Sequence, residues 1–212
     1  MRKPVATGTL LALLVVTSGC VGVLSGPVTF AATEATVSEA ALESTGYEHN
    51  RTEEMVVNRT FSAAGQSKDV EVTNWISEYH QSVGIEGLAE QRVAVFATFA
   101  SPTVEVVGQS FNPLDDYDNR ELAEQFTAQL ASVGDVRRVG SRTITMLGSD
   151  ANVTKFEATV TTSTGLEFDA YLHVTKVEHG DDFVGAIAVY PKQLPDQQAA
   201  INELIRGVEH EA

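Results

Sequence analysis

The sequence predicts an α+β fold in which helices pack on an antiparallel β-sheet. Runs of β-branched and aromatic residues recur along the chain, turn residues separate them, and amphipathic helical patterns lie between and after them. The chain has 212 residues, of which 43% are hydrophobic and 20% charged, enough for one globular domain with a sizeable core. We expect a single domain over residues 34–212, preceded by a signal peptide (1–19) and a short tether (20–33).

The first twenty residues have the layout of an export signal. Arg2 and Lys3 precede an uncharged apolar run, Val5–Val16, which small residues follow up to Cys20. That run is shorter than the roughly 20 residues that a membrane-spanning helix needs. Cys20 is the only cysteine and therefore cannot form an internal disulfide.

The segment Thr17-Ser18-Gly19-Cys20 resembles the lipobox of bacterial and archaeal lipoproteins, with Thr17 in place of the usual leucine. The resemblance implies cleavage before Cys20 and attachment of lipid to it. The alternative is an uncleaved signal anchor over Pro4–Leu24. Both interpretations keep the basic N-terminus inside and place the domain on the extracellular face of the cell membrane.

The first half of the domain is predicted to be mainly strands. Ser38 caps a short helix that ends near Gly46. The predicted strands are Met55–Phe61 and Val70–Tyr79 with a turn at Gly65, then Arg92–Phe99, which has no polar face, and Thr103–Val107 after Pro102.

A clear helix begins the second half. Asp118 and Glu121 form a capping-box pattern, and Leu122, Phe126 and Leu130 make a core-facing stripe. Four strands with hairpin turns follow, and an amphipathic helix that begins near Pro195 and carries Ile201, Leu204, Ile205 and Val208 ends the chain. The strands are Arg142–Leu147, Val153–Thr162, Leu166–Val177 and Phe183–Tyr190.

Alternation in the third of these strands predicts one covered and one wetter face. Ala170, Leu172 and Val174 are expected to face inward, and Tyr171 and His173 to face solvent.

The chain is strongly acidic, with a formal net charge of −15. Removal of a leader that contains Arg2 and Lys3 but no acid would bring the charge to −17. Such a surface repels phosphate backbones, so we expect no nucleic-acid partner. Acid-rich, lysine-poor surfaces of this kind resemble those of haloarchaeal proteins, whose self-repulsion is screened in molar salt.

Few residues suggest a specific modification or metal. Asn50, Asn58 and Asn152 begin three glycosylation sequons in a chain predicted to be exported. Asp115, Asp116 and Asp118 form the densest acidic cluster and are weak candidates for a Ca²⁺ site, although acids are also favoured at a helix N-terminus. No cofactor and no metal are predicted.

Local catalytic motifs are missing from the sequence. It contains no Gly-x-Ser-x-Gly elbow, no His-Glu-x-x-His pair and no phosphate-binding Gly-x-x-x-x-Gly-Lys loop. His173 and His179 are too far apart along one strand to share a metal ion. Trp75 and Tyr79 lie on one side of their strand, either in the core or on a binding surface.

The chain as a whole resembles a haloarchaeal lipoprotein family of unknown function with a PsbP-like α/β/α sandwich. The resemblance is carried by the leader with Cys20, by Gly108–Leu114, and by Tyr171–Val174 running on to His179–Asp182. PsbP-like domains are mostly non-catalytic partners of larger membrane assemblies. We therefore expect a lipid-anchored, non-enzymatic protein that binds an envelope protein or a small ligand. The alternative is an extracellular Ca²⁺-assisted hydrolase.

Overall fold

The structure is a computed structural model that describes residues 26–63, 66–83, 91–106, 109–110, 114, 117–130, 132–161, 165, 167–195 and 197–212. The strands are β1 (Val28–Ala31), β2 (Ala35–Val37), β3 (Glu48–Ala63), β4 (Gln66–Val83), β5 (Gln91–Pro102), β6 (Glu105–Val106), β7 (Gln109–Ser110), β8 (Ser132–Met146), β9 (Ser149–Thr161), β10 (Glu167–His179), β11 (Asp182–Pro191) and β12 (Val208–His210). The helices are α1 (Glu39–Thr45), α2 (Asn119–Leu130) and α3 (Gln198–Arg206).

Eight strands form one large sheet in the order β1-β4-β5-β11-β10-β9-β8, and β3 pairs with the other side of β4. All neighbours are antiparallel except β1 and β4, which are parallel. Two short pairs, β2 with β12 and β6 with β7, lie outside this sheet. The fold is thus α+β and mostly β, with a small helical share.

Strand β1 lies inside the segment predicted to be a tether. Val28–Ala31 pairs in register with 70–73 of β4, and the backbone N–H of Thr33 donates to the carboxylate of Asp182. The folded part therefore begins before residue 34, because this uncharged stretch supplies a strand to the sheet.

Both faces of the sheet are covered. On one face, α1, α3 and the β2–β12 pair enclose a core that includes Tyr79, Phe96, Met146, Tyr190 and Leu204. On the other, Leu122 and Ala123 of α2 share a second core with Phe156, Leu172 and Ile187. The large sheet is the middle layer between them.

The predicted ends of α1 and the predicted beginning of α2 are confirmed, whereas α3 begins at Gln198 and Val208, predicted to lie on it, belongs to β12. The Ser38 hydroxyl accepts a hydrogen bond from the N–H of Ala41, and α1 ends at Gly46, whose φ of 69° is the left-handed conformation of a C-cap. Asp118 and Glu121 form the predicted capping box: Asp118 Oδ1 accepts from the N–H groups of Arg120 and Glu121, and Glu121 Oε2 accepts from the N–H of Asp118.

The prediction that His173 faces solvent is wrong. Ala170, Leu172 and Val174 are buried against α2 as predicted, but His173 is only 1% exposed on the other face. That face is covered by α1, α3 and the β2–β12 pair, so a polar residue of β10 on this face is not exposed to solvent.

Among the described residues, no helix is long and apolar enough to cross a membrane.

Candidate functional site

An open cavity of about 180 Å³ lies between α2 and the sheet. Ile76 of β4, Phe99 of β5, Val174 of β10 and Ile187 of β11 line it from the sheet, and Leu122 lines it from α2. Leu114, Met55, Asn74, Gln125 and Ser101 add further lining side chains. Trp75 and Ala100 also border the cavity, although their side chains pack in the core on the opposite face of the sheet. The site is therefore assembled from segments that are far apart in sequence.

The cavity exists because α2 covers only part of this face. The helix packs on β8, β9 and β10, whereas Phe99 and Ile187 lie farther along the sheet on β5 and β11. Phe99 lies close to its partner strand because its register partner is Gly185, where a Cβ atom would come within 2.0 Å of the Phe99 ring. Gly185 thus lets the aromatic ring lie low over the sheet and leaves room above it.

Besides Ser101, the polar side chains at this cavity are two amides whose hydrogen bonds lie within the protein. Asn74 Nδ2 donates to the carbonyl of Met55 at 3.2 Å, and Gln125 Nε2 lies 3.4 Å from the Tyr117 hydroxyl. Gln125 is exposed and marks the solvent side. A few polar groups around an apolar interior are typical of small-ligand sites.

The lining of the cavity is mostly apolar. None of the described lining residues is acidic, basic or histidine, so these residues supply no ionisable general acid or base. Its volume is close to that of an engineered protein cavity of about 150 Å³ that binds benzene. The cavity therefore fits a compact apolar group.

A second cluster, buried beneath α3, centres on His173. Arg142 Nη1 lies 3.0 Å from His173 Nδ1, His173 Nε2 lies 3.3 Å from the Tyr190 hydroxyl, and Arg142 Nε donates to Asn202 Oδ1 at 2.7 Å. Because a guanidinium can only donate, Nδ1 must accept, which places the imidazole proton on Nε2. The cluster holds a neutral histidine and joins β8, β10, β11 and α3.

A third cluster connects the chain's last strand to the β10–β11 turn. His179 Nδ1 and His210 Nδ1 are 2.9 Å apart, and His210 Nε2 lies 3.0 Å from Asp182 Oδ2. The centroids of the two imidazole rings are 5.2 Å apart. This is about the distance between the two nitrogens plus the radius of each ring, so both nitrogens lie nearly on the line that joins the centroids. This is a straight N–H···N hydrogen bond. A metal ion between the nitrogens would lie much closer to both than the ~2.0–2.1 Å of a zinc–imidazole bond.

A family model of a domain of unknown function, DUF6517, matches residues 34–209. The chain belongs to this family. The matched residues include the cavity and the His173 cluster. They also include His179 and Asp182 of the third cluster, but not His210. No curated protein matches the chain at a significant level.

The acidic residues predicted as a Ca²⁺ site in this DUF6517 domain do not form a metal site in the part of the chain that the structure describes. Asp118 is exposed and its Oδ1 caps α2, whereas Asp115 and Asp116 lie outside the described residues. Within the part of the chain that the structure describes, no three His, Cys, Asp or Glu side chains are arranged to hold a metal ion.

The three sequon asparagines all lie on strands of the DUF6517 domain. Asn58 and Asn152 are exposed. Asn50 is half-buried, and its side chain donates to Glu78 and accepts from Arg92. Glycosylation stays a prediction, for which Asn58 and Asn152 are the accessible positions. Cys20, the predicted lipidation site, lies outside the described residues.

Trp75 and Tyr79 share one face of β4, as predicted, and it is the face opposite the cavity side chains. Tyr79 is buried in the core, and its hydroxyl accepts a hydrogen bond from the N–H of Val37 at 2.9 Å. Trp75 is half-buried against the same core. The cavity residues were missed because they carry no local motif, and only the strand pairing brings them together.

Proposed function

We propose that this protein is an exported, lipid-anchored, non-catalytic binding protein whose cavity beside α2 takes up a compact apolar ligand. The observation that carries the proposal is the open cavity itself, lined by Ile76, Phe99, Leu122, Val174 and Ile187, with no titratable side chain among its described lining residues. An apolar surface that remains open in a folded domain commonly marks a binding site.

The leader supports the exported and anchored part of the proposal. A basic start, an apolar run and the small residues before Cys20 fit a lipoprotein signal, and the acidic composition fits a domain held away from an anionic membrane surface. The strongly acidic, lysine-poor sequence supports a haloarchaeal envelope as its place. A sheet with helices on both faces is also compatible with a PsbP-like sandwich.

Benzene is a suitable first probe because its size matches the cavity. In the full-length protein with labelled methyl groups, we expect benzene to shift the NMR signals of Leu122, Val174 and Ile187. The variant Gln125→Phe, which fills the exposed side of the cavity, should abolish these shifts. The neighbouring exposed substitution Glu124→Phe is the matched control and should keep them.

The outcomes separate binding from a merely open surface. Saturable shifts that Gln125→Phe removes support the proposal, and native mass spectrometry of protein from its own cells would then identify the natural ligand. Methyl signals that do not respond to benzene in the parent chain would overturn the ligand site. Shifts that persist in Gln125→Phe would place binding elsewhere.

The anchor is tested in intact cells kept in molar salt. Cys20→Ser should release the protein to the medium, whereas the parent chain stays with the membrane. Retention of Cys20→Ser in the membrane would indicate an uncleaved signal anchor and contradict lipidation. Crosslinking capture in the same cells reveals any stoichiometric envelope partner. It therefore tests whether the apolar group that enters the cavity is part of a partner protein and not a small molecule.

The competing proposal, a Ca²⁺-assisted hydrolase, depends on Asp115, Asp116 and Asp118. Because Asp118 Oδ1 is occupied as a helix cap, we expect extensively dialysed protein to contain no calcium. Its melting temperature should not change with a chelator. Bound calcium, or a chelator-dependent loss of stability, would favour the hydrolase.

A further inference from the structure

We infer that the protein self-associates through the edge strand β3, which pairs antiparallel with β3 of a second copy around a two-fold axis at Val56. The inference goes beyond the proposed ligand site and does not depend on it. It rests on the contrast between the two edges of the large sheet and on the charge pattern of β3.

Strand β3 is a long and regular edge. It pairs with β4 in an unbroken register from Arg51 to Ala63, and β4 is its only strand partner among the described residues. An edge strand of this kind presents unpaired backbone N–H and C=O groups to which another strand can add.

The opposite edge, β8, is protected in the ways that natural sheets use. Its register with β9 is interrupted between Gly134 and Arg137 and again between Arg138 and Gly140, and Asp135 has a positive φ of 54°. Bulges and charges distort an edge and prevent the addition of a strand. Only one irregularity occurs in the pairing of β3, between His49 and Arg51, near its beginning.

The middle of β3 carries exposed apolar side chains. Met55 is 37% exposed and Val56 is 45% exposed, and Val57 follows them. Large exposed hydrophobic side chains on consecutive positions of an edge strand are unfavourable in a monomer, and a second strand would cover part of them.

The charges select a second copy as the partner, and they select its register. In antiparallel pairing centred on Val56, Glu53 lies opposite Arg59 of the second copy, and the symmetry generates this pair twice. Met55 then faces Val57 of the second copy. A shift of the centre to Met55 would place Arg51 opposite Arg59, and like charges directly opposite each other are destabilising.

Cysteine crosslinking tests the two-fold axis directly. A residue on the axis pairs with itself at a Cα–Cα distance of about 4.5–5.5 Å, which a disulfide can span. In the full chain under mild oxidation, we expect Val56→Cys to give mostly disulfide-linked dimer. The parent chain, with Cys20 alone, sets the background, and Val139→Cys is the matched control because Val139 is 38% exposed on the protected edge.

Charge reversal then tests the register. In the Val56→Cys chain, Glu53→Arg or Arg59→Glu alone should lower the crosslinked fraction about fivefold or more, because two exposed ion pairs are replaced by repulsion. The two reversals together should restore crosslinking, since they regenerate opposite charges across the axis.

Each result decides the inference. Crosslinking at Val56 that exceeds Val139, falls with each reversal and returns in the double reversal supports it. Crosslinking of Val56→Cys at background, or equal to that of Val139→Cys, overturns it. If each single reversal lowers crosslinking and the double reversal does not restore it, the proposed register is overturned, and the result points to a strand of another protein as the partner of β3. All substituted positions are exposed, so an unchanged thermal melt verifies the fold of each variant.

Discussion

The ring of Phe99 occupies the space in which a side chain at Gly185 would stand. A Cβ atom built on Gly185 meets Cζ of Phe99 at 2.0 Å, well inside any real contact. The two residues are register partners on β5 and β11, and Phe99 borders the candidate ligand cavity. This one glycine therefore sets the height of the ring above the sheet and, with it, the depth of the cavity.

We expect Gly185→Ala to destabilise the protein by about 1–3 kcal/mol, because the ring or the strand must move. The loss should be smaller in a Phe99→Leu background, since the shorter side chain relieves the clash. Gly140→Ala is the control, because a Cβ atom there meets nothing within 4 Å. Denaturant unfolding measures all variants. Equal effects of Gly185→Ala and Gly140→Ala would contradict the packing argument.

The sequence predicted the elements well where local chemistry alone determines them. The caps at Ser38 and Asp118 follow from short-range hydrogen bonding, and the predicted hairpin turn between the last two long strands, at Gly180–Asp181, follows from backbone conformation. The beginning of β3 was missed because the residues from Glu48 to Glu54 are mostly polar and mostly exposed, so no apolar alternation marks them.

The candidate site was not predictable in the same way. Whether His173 is buried depends on α3 and on Arg142, neither of which its own strand pattern reveals. Likewise, Ile76, Leu122 and Ile187 each look like ordinary core residues in sequence. Only the strand order and the position of α2 leave a cavity between them.

Two buried tyrosines should respond in opposite ways to loss of their hydroxyl groups. The Tyr47 hydroxyl is buried without a hydrogen-bond partner among the described residues, whereas that of Tyr79 accepts from the N–H of Val37. We expect Tyr79→Phe to cost about 1 kcal/mol and Tyr47→Phe to be neutral or stabilising. Denaturant midpoints compare the two directly. A larger loss for Tyr47→Phe would show that its hydroxyl has a partner.

The same tyrosines predict a loss of stability at alkaline pH. Burial raises the pKa of both Tyr47 and Tyr79 above the ordinary value of about 10. The folded state therefore keeps these protons at a pH at which the unfolded chain releases them, so stability is present below about pH 10 and falls above it. We expect unfolding free energies to decline from about pH 10 upward, and to decline less in Tyr47→Phe. An identical decline in that variant would contradict the assignment.

The His173 cluster predicts a fixed tautomer. Because Arg142 donates to Nδ1, ¹⁵N NMR should show an unprotonated Nδ1 and a protonated Nε2. Arg142→Gln should destabilise the fold by about 1.5–3 kcal/mol, the range for hydrogen bonds to charged groups. Arg138→Gln is the control on the same strand, because Arg138 is exposed and its guanidinium donates to the hydroxyl of Ser141 rather than to a buried group. A proton on Nδ1 of His173 would refute the arrangement.

The acidic surface predicts that folding depends on salt. With a formal charge of −15, self-repulsion opposes the compact state unless ions screen it, and at about 1 M salt the screening length falls to about 3 Å. We expect the melting temperature to rise with KCl and the protein to lose its fold at low salt. Substituting the exposed Glu43, Glu54 and Glu209 with glutamine should lower the salt needed for folding. A melting curve that is the same in low and molar salt would show that the acidic composition is not an adaptation to salt, and the haloarchaeal part of the proposal would then fail while the ligand site stands.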